Sequence, residues 1–153
     1  MSDKFDLNKL VLVGETAEAS LRRTSEILRD QGLNPNVTIE FISKEQGVFS
    51  GYGEISQIIS RFLPKAFRDE VLCLNDGDIF AKGEVILRVS CTFAVIANYI
   101  TAINGIISSS SGWATAAKEC VDSAEGIPIV NFGAPHVHPN VVGSMDYSSI
   151  QGG

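Results

Sequence analysis

His136 and His138 stand two residues apart in the run Asn131-Phe-Gly-Ala-Pro-His-Val-His-Pro139, and they are the only histidines in the chain. From one end of an extended segment, both imidazoles could point the same way toward an anion or a metal. A metal centre wants further ligands, and no third histidine or paired cysteine lies nearby, so no metal site is expected. An anion contact through His138 and simple packing of the loop remain as readings, with loop packing the default. Ser108-Ser-Ser-Ser-Gly112 could cradle a phosphate with backbone N–H groups at a helix start. Capping alone asks for the same residue types and is the expected role. Asp76 and Asp78 could pair as acid and base, but Asn75-Asp-Gly-Asp78 is a tight-turn pattern, and turn chemistry explains it. Arg22, Arg23 and Arg29 would form a basic helix face balanced by Glu18 and Glu26, which reads as a solvated surface. No Ser/His/Asp nucleophile system has support in the sequence.

Composition narrows the class. The net charge of −6 argues against a broad nucleic-acid footprint, which needs a basic face. Cys73, Cys91 and Cys120 are three thiols at irregular spacing in apolar surroundings, so buried free thiols are expected rather than a disulfide framework. The N-terminus lacks a basic region followed by an apolar stretch, so no signal peptide is expected. The apolar run Phe93 to Ile107 contains Asn98, Asn104 and Gly105 and is shorter than the ~20 residues of a membrane span. A cytoplasmic protein with no membrane contact and no cofactor is the expectation.

The elements that would position these residues follow from hydrophobic periodicity. Lys9 to Val13 reads as a short strand or an arm. Thr16 is an expected N-cap for an amphipathic helix ending near Gln31, stopped by Gly32. Val37 to Ile42 alternates as a strand. Gly47, Gly51 and Gly53 mark a loop, and Glu54 to Leu63 carries Ile55, Ile58, Ile59 and Phe62 at helical spacing. Short strands follow at Glu70 to Leu74 and Val85 to Cys91, joined through the turns at Asn75–Asp78 and Lys82–Glu84. Phe93 to Ile107 is expected to be a buried helix and Ser108–Gly112 a hinge. Trp113 to Ala124 is then a second helix, Ile127 to Phe132 a buried parallel strand, Gly133 to Asn140 a loop and Val141 to Ile150 a last helix.

Five segments in this order carry a family resemblance. They are Gly47-Val-Phe-Ser-Gly-Tyr-Gly-Glu54, Asp76-Gly-Asp78 with Gly83-Glu-Val-Ile-Leu-Arg-Val89, Thr101-Ala-Ile-Asn-Gly105, Ser111-Gly-Trp-Ala-Thr115, and Asn131 to Pro139 with Met145-Asp-Tyr147 and Gly152-Gly153. Together they resemble the nicotinate and quinolinate phosphoribosyltransferase family, nicotinate phosphoribosyltransferase in particular. The resemblance implies an N-terminal α/β domain and a C-terminal barrel, dimers with shared sites, and transfer of a ribosyl phosphate from phosphoribosyl pyrophosphate to a pyridine carboxylate. For this chain it implies an α+β fold: a phosphoribosyltransferase-type N-terminal domain with a small β-unit over 1–110, then a helix and the first βα unit of an incomplete barrel over 111–153. By the same resemblance Ser111, Thr115, His136 and His138 are the substrate-binding candidates, with no catalytic residue assigned.

Two departures stand out. The family places an acidic residue just before the helix threonine, where this chain has Ile100, and an arginine in the strand-end loop, where it has Pro135. Guanidinium suits anionic substrates through its planar bidentate donors, and proline supplies neither charge nor donor. Barrel enzymes also draw their sites from many strand-end loops. The chain is therefore expected not to catalyse alone, binding nicotinate or phosphoribosyl pyrophosphate only where a barrel is supplied elsewhere. The alternative is a structural, self-assembling relative. In either case a homo-oligomer is expected, with Ile127–Phe132 or Phe93–Ile107 at the interface.

Overall fold

A helical turn, not a strand, is the first element among the described residues. The computed structural model describes residues 7–68 and 70–153. Helix α1 covers Lys9–Leu12, where Asn8 caps the turn by accepting from the Leu10 N–H at 2.9 Å. Helix α2 covers Ala19–Asp30 and starts three residues beyond the expected Thr16 cap. The reason is a long-range tether: the Glu18 N–H donates to Thr101 Oγ1 at 3.1 Å and fixes the chain there. The Thr16 hydroxyl is left buried without a partner among the described residues.

Val37, Ile39 and Phe41 alternate with Thr38 and Glu40, and this period of two makes β1 (Asn36–Ile42) a half-buried strand. Strand β2 (Gly47–Val48) follows, then helix α3 (Tyr52–Phe62), whose Ile55, Ile58 and Ile59 face inward. Gly51 precedes α3 at φ +116°, a conformation open to glycine. A short helix α4 (Lys65–Arg68) leads to β3 (Leu72–Cys73), β4 (Ile79–Phe80) and β5 (Val85–Thr92). Strand β5 is central: β1 pairs with it antiparallel from Asn36↔Thr92 to Phe41↔Leu87, and β3 pairs on its other edge. Strands β2 and β4 form a separate two-stranded ribbon. Across the β1–β5 register the Arg88 Nε sits 2.6 Å from Glu40 Oε1. Phe49, Leu87, Val89, Ile96 and Ile103, all at 0% exposure, mark the core where sheet, α3 and the next helices meet.

Helix α5 (Phe93–Ile96) is short, and the chain then enters α6, one continuous helix over Ile100–Ser123. The expected hinge at Ser108–Gly112 does not exist, nor does a helix start there. Ser109 Oγ bonds back to Gly105 O at 2.7 Å, while Ser110 and Ser111 are buried. A hydroxyl bonded back to the carbonyl four residues earlier leaves the helix ladder intact. The interruption falls earlier, at Ala97–Tyr99, and the expected division at 110/111 lies inside α6. Ile127–Phe132 is also not a strand: no described residue pairs with it, so there is no ladder to define one. A 3₁₀ turn at Ala134–His136 then leads to α7 (Pro139–Gly152). Of the thiols, Cys91 is buried and Cys73 half-buried, but Cys120 is exposed. It lies on the side of α6 that faces Ile129 and Val130 across an open groove. The architecture is α+β.

Helices α6 and α7 pack closely because Gly152 has no side chain. A Cβ there would lie 2.1 Å from Ala114 O and 2.9 Å from Ala117 Cβ. Gly152→Ala should therefore displace α7 and cost roughly 2 kcal/mol or more, about 5 °C or more in Tm. Gly143, in the same helix with nothing near its Cβ position, should gain up to about 1 kcal/mol as alanine. Calorimetry on both variants checks this, and equal melting temperatures would contradict the packing.

Candidate functional site

The Asn75–Asp78 turn separates its two carboxylates by role. Asp78 Oδ2 accepts from the Asn75 N–H at 2.7 Å and closes the turn, as its pattern predicts. Asp76 reaches outward. Its Oδ1 accepts from the Gly51 and Tyr52 N–H groups at 2.8 and 3.0 Å, at the start of α3. Its Oδ2 accepts from the Tyr147 hydroxyl of α7 at 2.9 Å. The positive end of the α3 dipole suits this carboxylate.

Glu54, in the first turn of α3, lies in the same neighbourhood and accepts a long bond of 3.5 Å from Ser144 Oγ. Burial raises the Glu54 carboxyl above its ordinary value, the Ser144 bond opposes that, and the Asp76 charge adds to it. Burial, and then Asp76, push the Cys73 thiol up to about 12. The Tyr147 phenol is raised by burial and by its bond to Asp76. A thiol and a phenol held neutral in this way donate hydrogen bonds and are poor nucleophiles.

The structure divides the four substrate-binding candidates into two pairs. Ser111 and Thr115 are one turn apart on α6 and face the segment around β2. Thr115 Oγ1 accepts from the Val48 N–H at 2.9 Å. Ser111 Oγ accepts from the Ser50 N–H at 3.2 Å, and Ser50 Oγ donates to Ser148 Oγ of α7 at 3.0 Å. These hydroxyls thus stitch β2, α6 and α7 together. Ser111 and Thr115 also line a groove of ≈ 550 Å³ beside the end of β1, whose lining includes neither histidine. His136 closes the 3₁₀ turn and His138 caps α7, its Nδ1 accepting from the Asn140 N–H at 3.2 Å. Both imidazoles are exposed. The anion-favouring helix start beside them is that of α7, since Ser108–Gly112 lies within α6.

The two departure positions are occupied structurally. Ile100 opens α6 and packs against the core, and Pro135 sits within the first residues of the 3₁₀ turn. Between α6, α7 and the 127–132 segment runs an apolar groove of ≈ 560 Å³ lined by Trp113, Ala117, Ile129, Phe132 and Met145. Ile127, Val130 and Phe132 stay 70%, 69% and 78% exposed. Among the described residues no cluster of His, Cys, Asp and Glu could hold a metal, and no helix is long and apolar enough to cross a membrane. Sequence reading missed the reach of Asp76 and the burial of Glu54. The contacts run to residues 71 and 90 positions away, and spacing alone carries no signal for them.

A raised Glu54 value has a defined consequence for stability. The fold favours the protonated form, so its contribution is fully present below the ordinary glutamate range and is lost as pH rises through the elevated value. Glu54→Gln should therefore remove a loss of stability that sets in just above the ordinary glutamate range. Denaturant melts across that range decide the matter: an unchanged pH profile in the variant would contradict the assignment.

Comparison with known proteins identifies the fold. The family model described as quinolinate phosphoribosyl transferase, N-terminal domain, matches residues 20–111. No curated protein sequence matches the chain. Among solved structures, the nicotinate-nucleotide pyrophosphorylase from Pyrococcus furiosus superposes with a TM-score of 0.83 at 24% identity, over 97% of this chain and 39% of that one. The nicotinate-nucleotide pyrophosphorylase from Francisella tularensis gives 0.68 at 13%, over 100% of this chain and 55% of that one. NadC from Streptococcus pyogenes gives 0.65 at 16%, over 88% and 51%. The chain thus spans between about two fifths and just over half of these relatives. At such identities they speak to fold, whereas the family model covers most of the sequence between α2 and the middle of α6. The match is to the quinolinate family rather than to nicotinate phosphoribosyltransferase specifically, and the chain belongs to the family of quinolinate phosphoribosyltransferase N-terminal domains.

Proposed function

We propose that the chain is the N-terminal portion of a phosphoribosyltransferase that makes a pyridine mononucleotide, with nicotinate as acceptor, and that it does not turn over without the remainder of a barrel. The observation that carries this reading is the unpaired apolar segment 127–132 beside α6 and α7, with Ile127 and Phe132 more than two thirds exposed. A barrel's first strand would be covered by its neighbours on both edges. In the reaction the C1–O bond to pyrophosphate breaks, the pyridine nitrogen takes C1, and pyrophosphate leaves. His136, His138 and the α7 start would face the anionic groups, with Ser111 and Thr115 holding α6 in place behind them. Nicotinate is favoured over a dicarboxylate because Lys118 is the only lysine or arginine after Arg88, and Asp122 neutralises it at 2.9 Å. A second negative charge would find no partner in this part of the chain and would depend on the barrel for one. A cytoplasmic place goes with this reading.

A second reading is a self-assembling relative that kept the fold and lost the chemistry. Ile100 and Pro135, standing where the resemblance places charged residues, favour it. In that case 127–132 would be covered by another copy of the chain.

The isolated chain should form no nicotinate mononucleotide from nicotinate and phosphoribosyl pyrophosphate. Grafted in place of the equivalent part of the Pyrococcus furiosus relative, it should support turnover, faster with nicotinate than with quinolinate. Pro135→Arg in the graft should add about tenfold. Turnover by the isolated chain overturns the need for a barrel, and a folded graft inert toward both acids overturns the enzyme reading. Light scattering tests the second reading: it expects an oligomer that Ile129→Asp dissociates, and a monomer at micromolar concentration removes it.

A further inference from the structure

We propose that the groove between α2 and the start of α5 is a separate binding site for a small organophosphate. The groove has a volume of ≈ 530 Å³, within the size range of small-molecule sites. Arg22, Ser25 and Arg29 line it from one face of α2, at the i, i+3, i+7 spacing that stacks side chains along a helix. The acidic residues expected to balance this face do not do so. None of the ion pairs among the described residues involves Arg22, Arg29 or Glu26, and the Glu18 carboxylate accepts instead from Ser20 Oγ. Arg22 gives one N–H to the Glu15 carbonyl. Arg29 has no partner among the described residues.

The remaining polar groups are also supplied mainly as donors. Ser25 Oγ is shielded from solvent and has no hydrogen-bond partner among the described residues, a state that a ligand acceptor would relieve. A change of its χ1 rotamer would turn it toward a ligand oxygen. From the opposite wall, Asn34 accepts from the Ala94 N–H at 3.2 Å through Oδ1, which leaves its NH₂ group to donate. The Asn98 amide lines the same wall. Guanidinium forks and a hydroxyl from α2 and amide donors from the opposite wall line the groove from different directions. That arrangement suits the three oxygens of a phosphate monoester better than a planar carboxylate. Phe93, with Leu28 and Leu33, adds an apolar floor for the organic part. Glu26 is the one acid in the lining.

Phenyl phosphate is the direct probe, with inorganic phosphate and benzoate as comparators, titrated into the isotope-labelled full chain and followed by amide NMR. The expected result is saturable shifts at Ser25, Asn34 and Asn98, with phenyl phosphate binding tighter than either comparator. Arg29→Gln should weaken binding about tenfold through loss of a charged donor. Ser25→Ala should weaken it too, and Glu26→Gln should strengthen it, with Tm nearly unchanged at the two exposed positions. Absence of saturation, shifts centred on His136 and His138 instead, equal binding of inorganic phosphate, or indifference to Arg29→Gln would each overturn the proposal. None of these outcomes depends on whether the grafted enzyme turns over.

Discussion

The Asp76 carboxylate accepts hydrogen bonds from three groups that the chain brings from distant places: two backbone N–H groups at the start of α3 and the phenol of Tyr147 in α7. Each is individually modest, but they share one anchor. The anchor itself is rigid because Asp78 closes the turn beneath it and the Gly77 N–H donates to Phe49 O at 2.9 Å. A carboxylate that satisfies orphan donors of a helix start also answers the helix dipole, so removing it takes a partner from the half-buried Gly51 and Tyr147 bonds as well as from the exposed Tyr52 N–H. The N-terminal sheet, α3 and the C-terminal helix therefore take their relative positions from one turn of four residues.

A second constraint works through size. The α6 helix lies against β2 on one side and α7 on the other, and both contacts depend on small residues. Gly152 lets the α7 backbone approach Ala114 O. Ser50, Ser111 and Ser148 fill the junction with hydroxyls that bond to one another and to backbone. Buried hydroxyls of this kind are acceptable only when every one is satisfied. This explains why a stretch that reads as a serine-rich hinge is instead the middle of the longest helix.

Elements that rest on local periodicity were legible in the sequence. The alternation of Val37, Ile39 and Phe41 and the helical spacing of Ile55, Ile58 and Ile59 carry the sheet and α3, and the segment resemblances carry the family. Features decided by distant partners were not legible. Thr101 moves the start of α2 away from Thr16. Ser50 and Ser148 turn Ser111 from a loop candidate into a packing residue. Ile127–Phe132 has the composition of a buried strand, but strand geometry belongs to a pair, and composition cannot supply the neighbour. Of the candidate site, Asp78 kept its turn role, while Asp76 acquired partners 25 and 71 residues away.

The uncovered segment and the missing charge bear on each other. Ile127, Val130 and Phe132 present apolar surface to solvent at the mouth of a groove floored by Trp113 and Met145. Covering such surface stabilises by about 25 cal/mol per Å², so whatever covers it has a substantial drive to bind before any chemistry is considered. The histidine loop follows directly in the chain, with Pro135 inside its 3₁₀ turn. A covering barrel would fix this loop from both ends and bring its own cations to it. A proline at 135 is then tolerable, because the loop must supply shape and the partner strands can supply charge. A covering second copy would bring the same loop again, still with only imidazoles. On the proposed function, the charge around the loop would be set less by the loop's own residues than by the identity of any surface that closes over Phe132.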